Sequence, residues 1–444
     1  MTAHFRGIER VHFVGIGGSG MSGLAELLQG QGYTVTGSDL AEGAAVARLR
    51  ELGVPVRLGH AAQAVVGADV VVVSSAVAAD NPEIAEARRR GVPVIPRAEM
   101  LAEVMRLKHG IAVAGTHGKT TTTSLIAHLL DVAGLDPTAV VGGRVIGRGP
   151  ERTGTRLGAG PLLVAEADES DGSFLRLRPV IAVVTHLEPE HLEHWGNEEA
   201  LHRAFVDFAA SVPFWGLAVL CLDHPGVQAI LPEVGRRVTT YGLSAQAELR
   251  AAALRREGEG LRFELRRGTE SLGEARLALP GRHNVRNALA AVAVALELEV
   301  PVARVVEGLA SFAGVERRFE SRGRARGVRV VDDYGHHPTE VRVTLAAARE
   351  VHPGRLVVVF QPHRFTRTRD LWDDFAAAFH EADVLIVTDV YAAGEPEIPG
   401  VESAALVRAI RARGHRHVRH VAELKHVAEH LVPELGPGDL VLTL

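Results

Sequence analysis

The sequence predicts an α/β protein of three domains, each built on a mainly parallel sheet. At 444 residues the chain is too long for one core, and the usual size of roughly 150 residues per domain gives about three. Apolar runs of strand length alternate with helical stretches, a pattern that favours parallel strands joined by helices. Glycine-bearing turns follow apolar strands near residues 15 and 115, and turns of this kind bring the backbone close to a ligand.

A glycine-rich turn near the N-terminus predicts the first ligand site. Residues 10–16 read as an apolar strand that leads into G-I-G-G-S-G at 15–20 and a helix, and a second strand ends at Asp39. This pattern of a Rossmann-like domain suits a nucleotide or a nucleotide-sugar, although NAD or a purely structural turn has the same spacing. Open sheets bind ligands at the carboxyl ends of their strands, so the candidate residues of this domain, predicted over 1–108, are Gly17, Gly18, Ser19, Asp39, Ser74 and Ser75.

The central domain, predicted over 109–315, opens with a strand, the turn G-T-H-G-K-T at 115–120 and a helix. Backbone N–H groups freed by the two glycines and the positive end of the helix attract phosphate. In such a P-loop-type turn the lysine contacts the outer phosphates and the next hydroxyl holds Mg²⁺, whereas an ordinary helix N-cap is the alternative. The candidate nucleotide-binding residues are Gly115, Thr116, His117, Gly118, Lys119, Thr120 and Thr121.

The lysine of this turn is unusual in the chain. Of 49 basic residues only Lys108, Lys119 and Lys425 are lysines. Arginine is a wide planar fork and lysine a slim point charge, so a tight phosphate loop cannot exchange one for the other. A lysine kept at this position therefore supports the phosphate-binding interpretation.

Acidic side chains follow two later strands of the same domain, in the stretches 166–171 and 186–194. Carboxylates and histidines at strand ends beside a phosphate-binding turn are what a Mg²⁺–nucleotide site needs, although an acidic turn in solvent is the alternative. The candidate metal ligands are Thr120, Glu166 and His191.

The rest of the central domain carries weaker signals. Residues 142–160, rich in Gly and Arg, are expected to form a mobile loop, and 245–276 a peripheral β-hairpin element. A long helix over about 281–298 begins with polar side chains that either contact a nucleotide base or merely cap the helix. These side chains are His283, Asn284 and Asn287.

A third domain, Rossmann-like and with a parallel, doubly wound sheet, is predicted over 316–444. The expected strands are 328–331, 356–360, 384–388 and 440–444, and the expected helices begin after Pro338 or span 370–379, 404–411 and 422–431. Two motifs stand at strand ends, D-D-Y-G-H-H-P-T at 332–339 and Q-P-H-R-F-T-R at 361–367. Their His and Arg side chains suit an anionic ligand, although plain surface charges would need no function.

Composition limits the remaining possibilities. The apolar fraction of 46% and the charged fraction of 23% are typical of a soluble globular protein. A net charge of −5 without a basic stripe argues against a nucleic-acid partner. The single Cys221 lies in an apolar run, where a core thiol is expected. Because the chain shows neither a leader pattern nor an apolar run near 18 residues, a cytoplasmic protein without membrane contact is expected.

With these motifs in hand, the chain resembles the Mur ligase family over essentially its whole length. The markers are the stretches 15–23, 115–120, 166–171, 281–287 (G-R-H-N-V-R-N), 316–320 (E-R-R-F-E), 332–338 and 361–367. The last two are similar to those of the branch that joins L-alanine to UDP-N-acetylmuramate, whereas the loop alone is shared with folylpolyglutamate synthase. The resemblance implies that the N-terminal domain binds the UDP-sugar, the central domain binds ATP, and the C-terminal domain closes over both.

The resemblance also implies a reaction. The γ-phosphoryl group of ATP passes to the lactyl carboxylate of UDP-N-acetylmuramate, and the amine of L-alanine attacks the acyl phosphate. Two anions meet in the first step, so Mg²⁺ or Mn²⁺ and basic side chains must neutralise charge. Either a histidine or a carboxylate near the amine serves as general base, and the sequence leaves both open. The catalytic residues so implied are Lys119, His191, His336 and Arg364.

Further roles follow from the resemblance alone. His283, Asn284 and Asn287 face the adenine, and Arg318 and Asp332 contact the nucleotide. The sugar and amino-acid end is lined by Tyr334, His336, His337, His363, Arg364 and Arg367. The chain departs from the family pattern at His186 and Glu190, where relatives carry Asn and Asp. Relatives also continue past the last strand with a turn and a helix, so a chain that ends at Leu444 is expected to leave one sheet face partly uncovered.

Three other functions fit part of the sequence. A ligase of the same branch that recycles peptides by joining a tripeptide to the same sugar shares the mechanism. An NAD-dependent dehydrogenase fits residues 15–20 but leaves the loop at 115–120 unexplained. A non-catalytic nucleotide-binding regulator requires Glu166 and His191 to be idle. A monomer or a weak dimer is expected.

Overall fold

The computed structural model describes residues 5–18, 20–74, 76–142 and 154–444, and these group into two compact units. The first unit contains Met1–Ala252, Glu264–Ala275 and Arg286–Phe312, and the second contains Ala253–Phe263, Arg276–Val285 and Ala313–Leu444. In the described ranges, the helices are all too short or too polar to cross a bilayer. The predicted α/β class is confirmed, while the predicted domain boundaries at 108 and 315 stay a prediction.

The N-terminal part of the first unit is a five-stranded parallel sheet with connecting helices. Its strands are β1 (Arg10–Val14), β2 (Thr34–Asp39), β3 (Val56–Leu58), β4 (Val70–Val73) and β5 (Val94–Pro96). Its helices are α1 (Met21–Gly30), α2 (Ala44–Glu51), α3 (Pro82–Arg89) and α4 (Arg97–Arg106). The strand order β3-β2-β1-β4-β5 reverses between β1 and β4, and doubly wound sheets bind ligands at this crevice. The first strand stops two residues before its predicted end, because Gly15 (φ 76°) already belongs to the turn.

A buried hydrogen-bond network lies inside this sheet. The side chain of Glu83 on α3 is fully buried and accepts hydrogen bonds from Ser38 Oγ (2.6 Å) and Ala61 N (3.0 Å), with His12 Nε2 at 3.2 Å. Burial alone would raise the pKa of Glu83, but the hydrogen bonds from His12 and Ser38 lower it overall. The carboxylate is therefore the stable form in the folded protein.

Replacing Glu83 by alanine is expected to destabilise the fold, because the buried His12 and Ser38 side chains and the half-buried N–H of Ala61 lose their shared acceptor. We expect the free energy of unfolding to fall by about 3 kcal/mol, measured by urea titration with circular dichroism. The folded-state pKa lies below the unfolded value of roughly 4.3, so the contribution is complete above that pH and is lost as the pH falls through the lower, folded-state pKa. The control is Glu86→Gln on the same helix, where the ion pairs with Arg89 and Arg90 are exposed. An equal free energy of unfolding for the two variants would contradict the prediction.

The central part of the chain forms a second sheet with connecting helices. Its strands are β6 (His109–Ala114), β7 (Thr138–Val140), β8 (Thr155–Arg156), β9 (Leu162–Glu166), β10 (Ile181–Val184), β11 (Leu217–Cys221), β12 (Val238–Gly242), β13 (Leu249–Glu257), β14 (Gly260–Arg267) and β15 (Glu270–Leu277). Its helices are α5 (Lys119–Val132), α6 (Leu192–Trp195), α7 (Glu198–Ala210), α8 (Pro225–Ile230), α9 (Arg282–Glu297) and α10 (Val302–Ser311). Seven strands lie in the order β12-β11-β10-β6-β9-β7-β8, with β6 paired in parallel to both β9 and β10. The loop after β6 therefore opens at the centre of the sheet.

Two local predictions for the central part need correction. The expected mobile loop 142–160 is only partly a loop: residues 143–153 lie outside the described residues, and 155–156 form β8, which pairs antiparallel with β7. The expected hairpin over 245–276 has three strands rather than two, β13 to β15. Short strands rich in charge, such as β8, carry too few apolar residues for a periodicity signal.

The C-terminal part of the second unit is a six-stranded sheet. Its strands are β16 (Glu320–Ala325), β17 (Val328–Asp332), β18 (Leu356–Phe360), β19 (Val384–Val387), β20 (Val418–His420) and β21 (Leu440–Thr443). Its helices are α11 (Pro338–Val351), α12 (Phe365–Asp370), α13 (Trp372–Ala376), α14 (Ser403–Ala412) and α15 (Leu424–Leu431). The order is β16-β17-β21-β18-β19-β20, and only the edge strand β16 is antiparallel to its neighbour.

This sheet differs from the prediction in three respects. The strands β16 and β20 were not predicted. The antiparallel edge β16 makes the sheet mixed rather than wholly parallel, and doubly wound folds commonly carry such an edge. The predicted helix 370–379 is instead two short helices that meet at Leu371 and end by Ala376. Helix α12 begins just after Arg364, whose left-handed backbone (φ 73°) interrupts the preceding loop.

Candidate active site

Two glycines shape the turn at 115–118, and any other residue at either position would require neighbouring atoms to move. Gly115 has φ 137°, and an added Cβ would lie 2.8 Å from His186 N and 2.9 Å from His186 O. Gly118 has φ 83° at the N-terminus of α5, and its Cβ would lie 2.6 Å from Asn287 Oδ1. The loop thus fits closely against the segment after β10 and against Asn287. Such a tight turn before a helix leaves backbone N–H groups for an anion.

Lys119 lies within this turn beside a buried carboxylate. Its Nζ is 2.8 Å from Glu169 Oε1 and donates to Gly115 O at 2.7 Å. Burial by itself would lower the pKa of Lys119, but the negative charges of Glu169 and Glu166 outweigh it and raise that pKa. The ammonium group is therefore charged at neutral pH, as contact with phosphate requires.

Two groups of side chains fit a divalent cation near the turn. Thr120 Oγ1 donates to Glu166 Oε1 at 3.1 Å, which places together a hydroxyl and a carboxylate, the hard oxygen ligands that Mg²⁺ takes. The ligand atoms of Glu169, Glu190 and His191 all lie within 4.8 Å of one another. Among the described residues Glu169 Oε2 is buried without a hydrogen-bond partner, an arrangement that a cation would relieve. The residues present thus fit a magnesium–nucleotide site.

Histidines also gather beside the same turn. His117 Nε2 lies 3.3 Å from Glu188 Oε2, and the ring of His186 lies 5.0 Å from that of His117 and 3.5 Å from that of His224. Burial, and then the neighbouring His117 and His224, lower the pKa of His186 to about 2. For Glu188 burial would raise the pKa, but hydrogen bonds from His117 and His224 lower it overall. At pH 7 this part of the site holds a neutral imidazole and a carboxylate.

The N-terminal candidates also come together, at the crevice between β1 and β4. Gly17 N donates to Asp39 Oδ2 at 2.8 Å, so the acid at the end of β2 holds the glycine turn. A Cβ on Gly18 would lie 3.8 Å from Ser74 Oγ, the side chain that follows β4. The remaining two candidates, Ser19 and Ser75, lie outside the described residues.

The polar start of α9 is divided between the two units. Asn287 belongs to the first unit and approaches the phosphate loop at Gly118, as described above. His283 and Asn284 belong to the second unit, where Asn284 Nδ2 donates to Pro280 O at 2.8 Å. Only Asn287 is therefore placed beside the loop by contacts within one unit.

Aromatic and histidine rings converge at the carboxyl ends of β17 and β18 in the second unit. The ring of His336 lies 4.9 Å from that of Tyr334 and 6.0 Å from that of His363. Arg318 Cζ lies 5.7 Å from the centre of the Tyr334 ring. Burial, and then the positive neighbours His336, Arg367 and Arg364, lower the pKa of His363 to about 4. The two motifs at 332–339 and 361–367 thus form one cluster.

Three candidates of the second unit have defined local partners. His337 is buried at the N-terminus of α11, where its side chain accepts from Thr339 N as part of a capping box with Glu340. Asp332 Oδ1 accepts from Thr443 Oγ1 at 2.6 Å. Arg364 pairs with Glu395 at 3.7 Å. For His337 the observed capping contact is one that helix formation alone explains.

Sequence reasoning missed three residues that the structure brings to these sites. Glu169 is one of four acids within residues 166–171, and nothing local marks it as the partner of Lys119. His224, which stacks on His186, follows a different strand. Arg97 is the first residue of α4, and its Nη1 lies 2.9 Å from the position that a Cβ on Gly20 would take. Its charge contributes to lowering the pKa of Asp168. Of these three residues, only Arg97 has a feature that the sequence shows, because it is a basic residue at the start of a predicted helix.

Comparison with known families divides the chain into three matched regions. Residues 10–109 match the model of the Mur ligase family catalytic domain, and 113–295 match that of the Mur ligase middle domain. Residues 317–444 match the model of the Mur ligase glutamate ligase domain. The three matches together cover most of the chain.

Similar proteins agree with these matches. The chain is 58% identical over 437 residues to a UDP-N-acetylmuramate–L-alanine ligase of Anaeromyxobacter dehalogenans (98% of this chain, 94% of the relative), and 57% identical to one of Sorangium cellulosum (99% and 94%). Among solved structures, the UDP-N-acetylmuramate–alanine ligase of Thermotoga maritima matches with a TM-score of 0.81 at 31% identity (98% of this chain, 95% of that one). A murein peptide ligase of Psychrobacter arcticus matches with a TM-score of 0.71 at 25% identity, with the same coverage.

Proposed function

The chain belongs to the Mur ligase family, and on that premise we propose that it joins L-alanine to the lactyl carboxylate of UDP-N-acetylmuramate in peptidoglycan precursor synthesis. The reaction consumes ATP and passes through an acyl phosphate, giving ADP and phosphate. The observation that carries the proposal is the turn at 115–120, whose charged lysine and paired hydroxyl and carboxylate are the parts that phosphoryl transfer needs.

The residues of the first unit bind and orient the nucleotide in this proposal. The turn 115–121 holds the phosphates through its backbone N–H groups, and Lys119 neutralises charge as the γ-phosphoryl group meets a carboxylate. Thr120 and Glu166 hold Mg²⁺, and His191 with Glu169 and Glu190 holds a second ion. When bound, the metal supplies positive charge to the phosphate oxygens; Mn²⁺ takes the same ligands. Asn287 lies where the loop meets the polar start of α9.

The remaining candidates take roles by position. Gly17, Gly18, Asp39 and Ser74, with Ser19 and Ser75, bind the UDP-sugar at the crevice between β1 and β4. His283, Asn284, Arg318 and Asp332 are assigned to the nucleotide in the same proposal. The sugar and amino-acid end is lined by the cluster of Tyr334, His336, His363, Arg364 and Arg367, with His337 at the cap of α11. His336 and Arg364 act on the reacting groups there.

The arrangement of the chain follows the same proposal. We propose three domains over 1–108, 109–315 and 316–444, close to the three matched regions. A reaction that consumes ATP takes place where ATP is available, so we propose a cytoplasmic enzyme. Its partners are the two substrates, and it acts as a monomer or weak dimer.

The test is phosphate release from ATP and Mg²⁺, with UDP-N-acetylmuramate present and single amino acids added in turn. We expect release that requires both the sugar nucleotide and L-alanine, and a product heavier than the sugar nucleotide by one alanyl residue in mass spectrometry. Release with a tripeptide but not with L-alanine would reassign the chain to peptide recycling. No release with either acceptor would contradict the ligase proposal.

A further inference from the structure

We propose that His117, His186 and Glu188 form a transition-metal site, of the class that binds Zn²⁺ or Co²⁺, beside the phosphate loop. His224 supports the site through the Glu188 carboxylate. These four residues are called the histidine cluster below. The site is separate from the oxygen-rich groups assigned above to Mg²⁺, and it goes beyond the proposed ligase function.

The topology of the sheet explains why these residues meet. His117 follows β6, His186 and Glu188 follow β10, and His224 follows β11. The strand β10 pairs in parallel with both β6 and β11, so the three carboxyl ends lie side by side at one edge. Side chains from three distant segments are thus held on neighbouring strand ends, and rigid elements of this kind suit a metal site.

The distances between the three ligand atoms allow them to bind one ion together. The ligand atoms of His117, His186 and Glu188 lie within 4.8 Å of one another. Nε2 of His117 lies 3.3 Å from one Glu188 oxygen, and Nε2 of His186 lies 3.7 Å from the other. Donors held at ~2.1 Å from one tetrahedral ion are roughly 3.4 Å apart, so small side-chain movements suffice.

The donor set selects the class of metal. Two imidazoles and one carboxylate are the three protein ligands of a common type of zinc site that keeps a further position open. Imidazole suits Zn²⁺ and other first-row transition metals, whereas Mg²⁺ prefers oxygen ligands and retains water. Side-chain exposures of 12% for His117 and 25% for Glu188 leave a path for an ion from solvent.

Neighbouring groups orient two of the side chains. Thr116 Oγ1 accepts from Glu188 N and lies 3.1 Å from His186 Nδ1, so a proton on Nδ1 leaves the lone pair of Nε2 directed at the site. Leu187 N donates to His224 Nδ1, which leaves the proton of His224 on Nε2, 3.7 Å from Glu188 Oε1. His224 is therefore a positioning residue, since it donates to the carboxylate and offers no lone pair to the metal.

The test titrates the full, chelator-treated chain with Co²⁺ in the presence of excess Mg²⁺, following the visible absorption of bound Co²⁺, and with Zn²⁺ by calorimetry. We expect one ion per chain. His186→Asn and the isosteric Glu188→Gln should each weaken binding by at least about tenfold, and His224→Asn by roughly tenfold or more. Circular dichroism confirms that each variant is folded.

Two control variants decide between the possible sites. His202→Asn on α7 removes a histidine that lies outside the histidine cluster and pairs with Glu198. His191→Asn removes the only histidine of the Glu169–Glu190–His191 group, and both variants should bind Co²⁺ like the parent. Unchanged binding in His186→Asn and Glu188→Gln would overturn the proposal. So would the loss of binding in His191→Asn alone, or the absence of Co²⁺ binding to the parent chain.

Discussion

Replacing Lys119 by alanine is expected to lower turnover by about 10³-fold or more in the phosphate-release assay with both substrates present. The charged amine lies at the N-terminus of α5 and is the one lysine of the phosphate loop. Removing a preorganised positive group that faces developing phosphoryl charge typically costs several orders of magnitude. Because the loop backbone is unchanged, the expected loss is in the rate constant rather than in the fold.

The controls separate charge from stability. Lys119→Ala leaves the buried Glu169 without its partner, so circular dichroism and thermal denaturation test whether the unpaired carboxylate unfolds the variant; we expect it to stay folded. Lys119→Arg should also fail, because the wide guanidinium does not fit the tight turn. Lys425→Ala, an exposed lysine, should retain full activity. Activity of Lys119→Ala within tenfold of the parent would contradict the proposed nucleotide site.

Replacing Gly115 by alanine is expected to lower kcat/KM by about 10²-fold or more. The added Cβ would contact Thr185 Oγ1 and would lie 2.8 Å and 2.9 Å from the backbone N and O of His186. His186 follows β10, which is held between β6 and β11, so its backbone atoms resist displacement and the loop itself must shift. Misplacement of a catalytic group by about 1 Å costs roughly 10²-fold in rate. The conformation at φ 137° adds strain for any residue with a Cβ.

Gly134→Ala is the matched control for this variant. Gly134 also has a positive φ (81°), but nothing lies within 4 Å of its Cβ position, and it follows the far end of α5. Its replacement should cost about 1 kcal/mol in stability and leave activity unchanged. Kinetics and thermal denaturation of both variants give the comparison. Equal activity in the two would show that the loop geometry at Gly115 is not needed.

The sequence predicted the parts of the fold that depend on local pattern. The strand, glycine turn and helix around Lys119 were recognisable because apolar runs, glycine and helix-forming residues follow one another directly in the chain. The alternation of strands and helices after residue 316 likewise predicted most of the third sheet. The edge strand β16 and the short β8 were missed because polar residues dominate them. The burial of neighbouring strands, not their own pattern, determines their pairing.

Local chemistry therefore predicted which residues are candidates for function: the phosphate loop, the acids after β9 and β10, and the two basic motifs at 332–339 and 361–367. The tertiary structure alone decided which of these side chains meet. Glu169, rather than another acid of the stretch 166–171, pairs with Lys119. His224 joins His117 and His186 because β6, β10 and β11 are neighbours in the sheet. The physical reason is that contacts between strand ends depend on strand order and register, which connect residues far apart in the chain and leave no periodic signal in it.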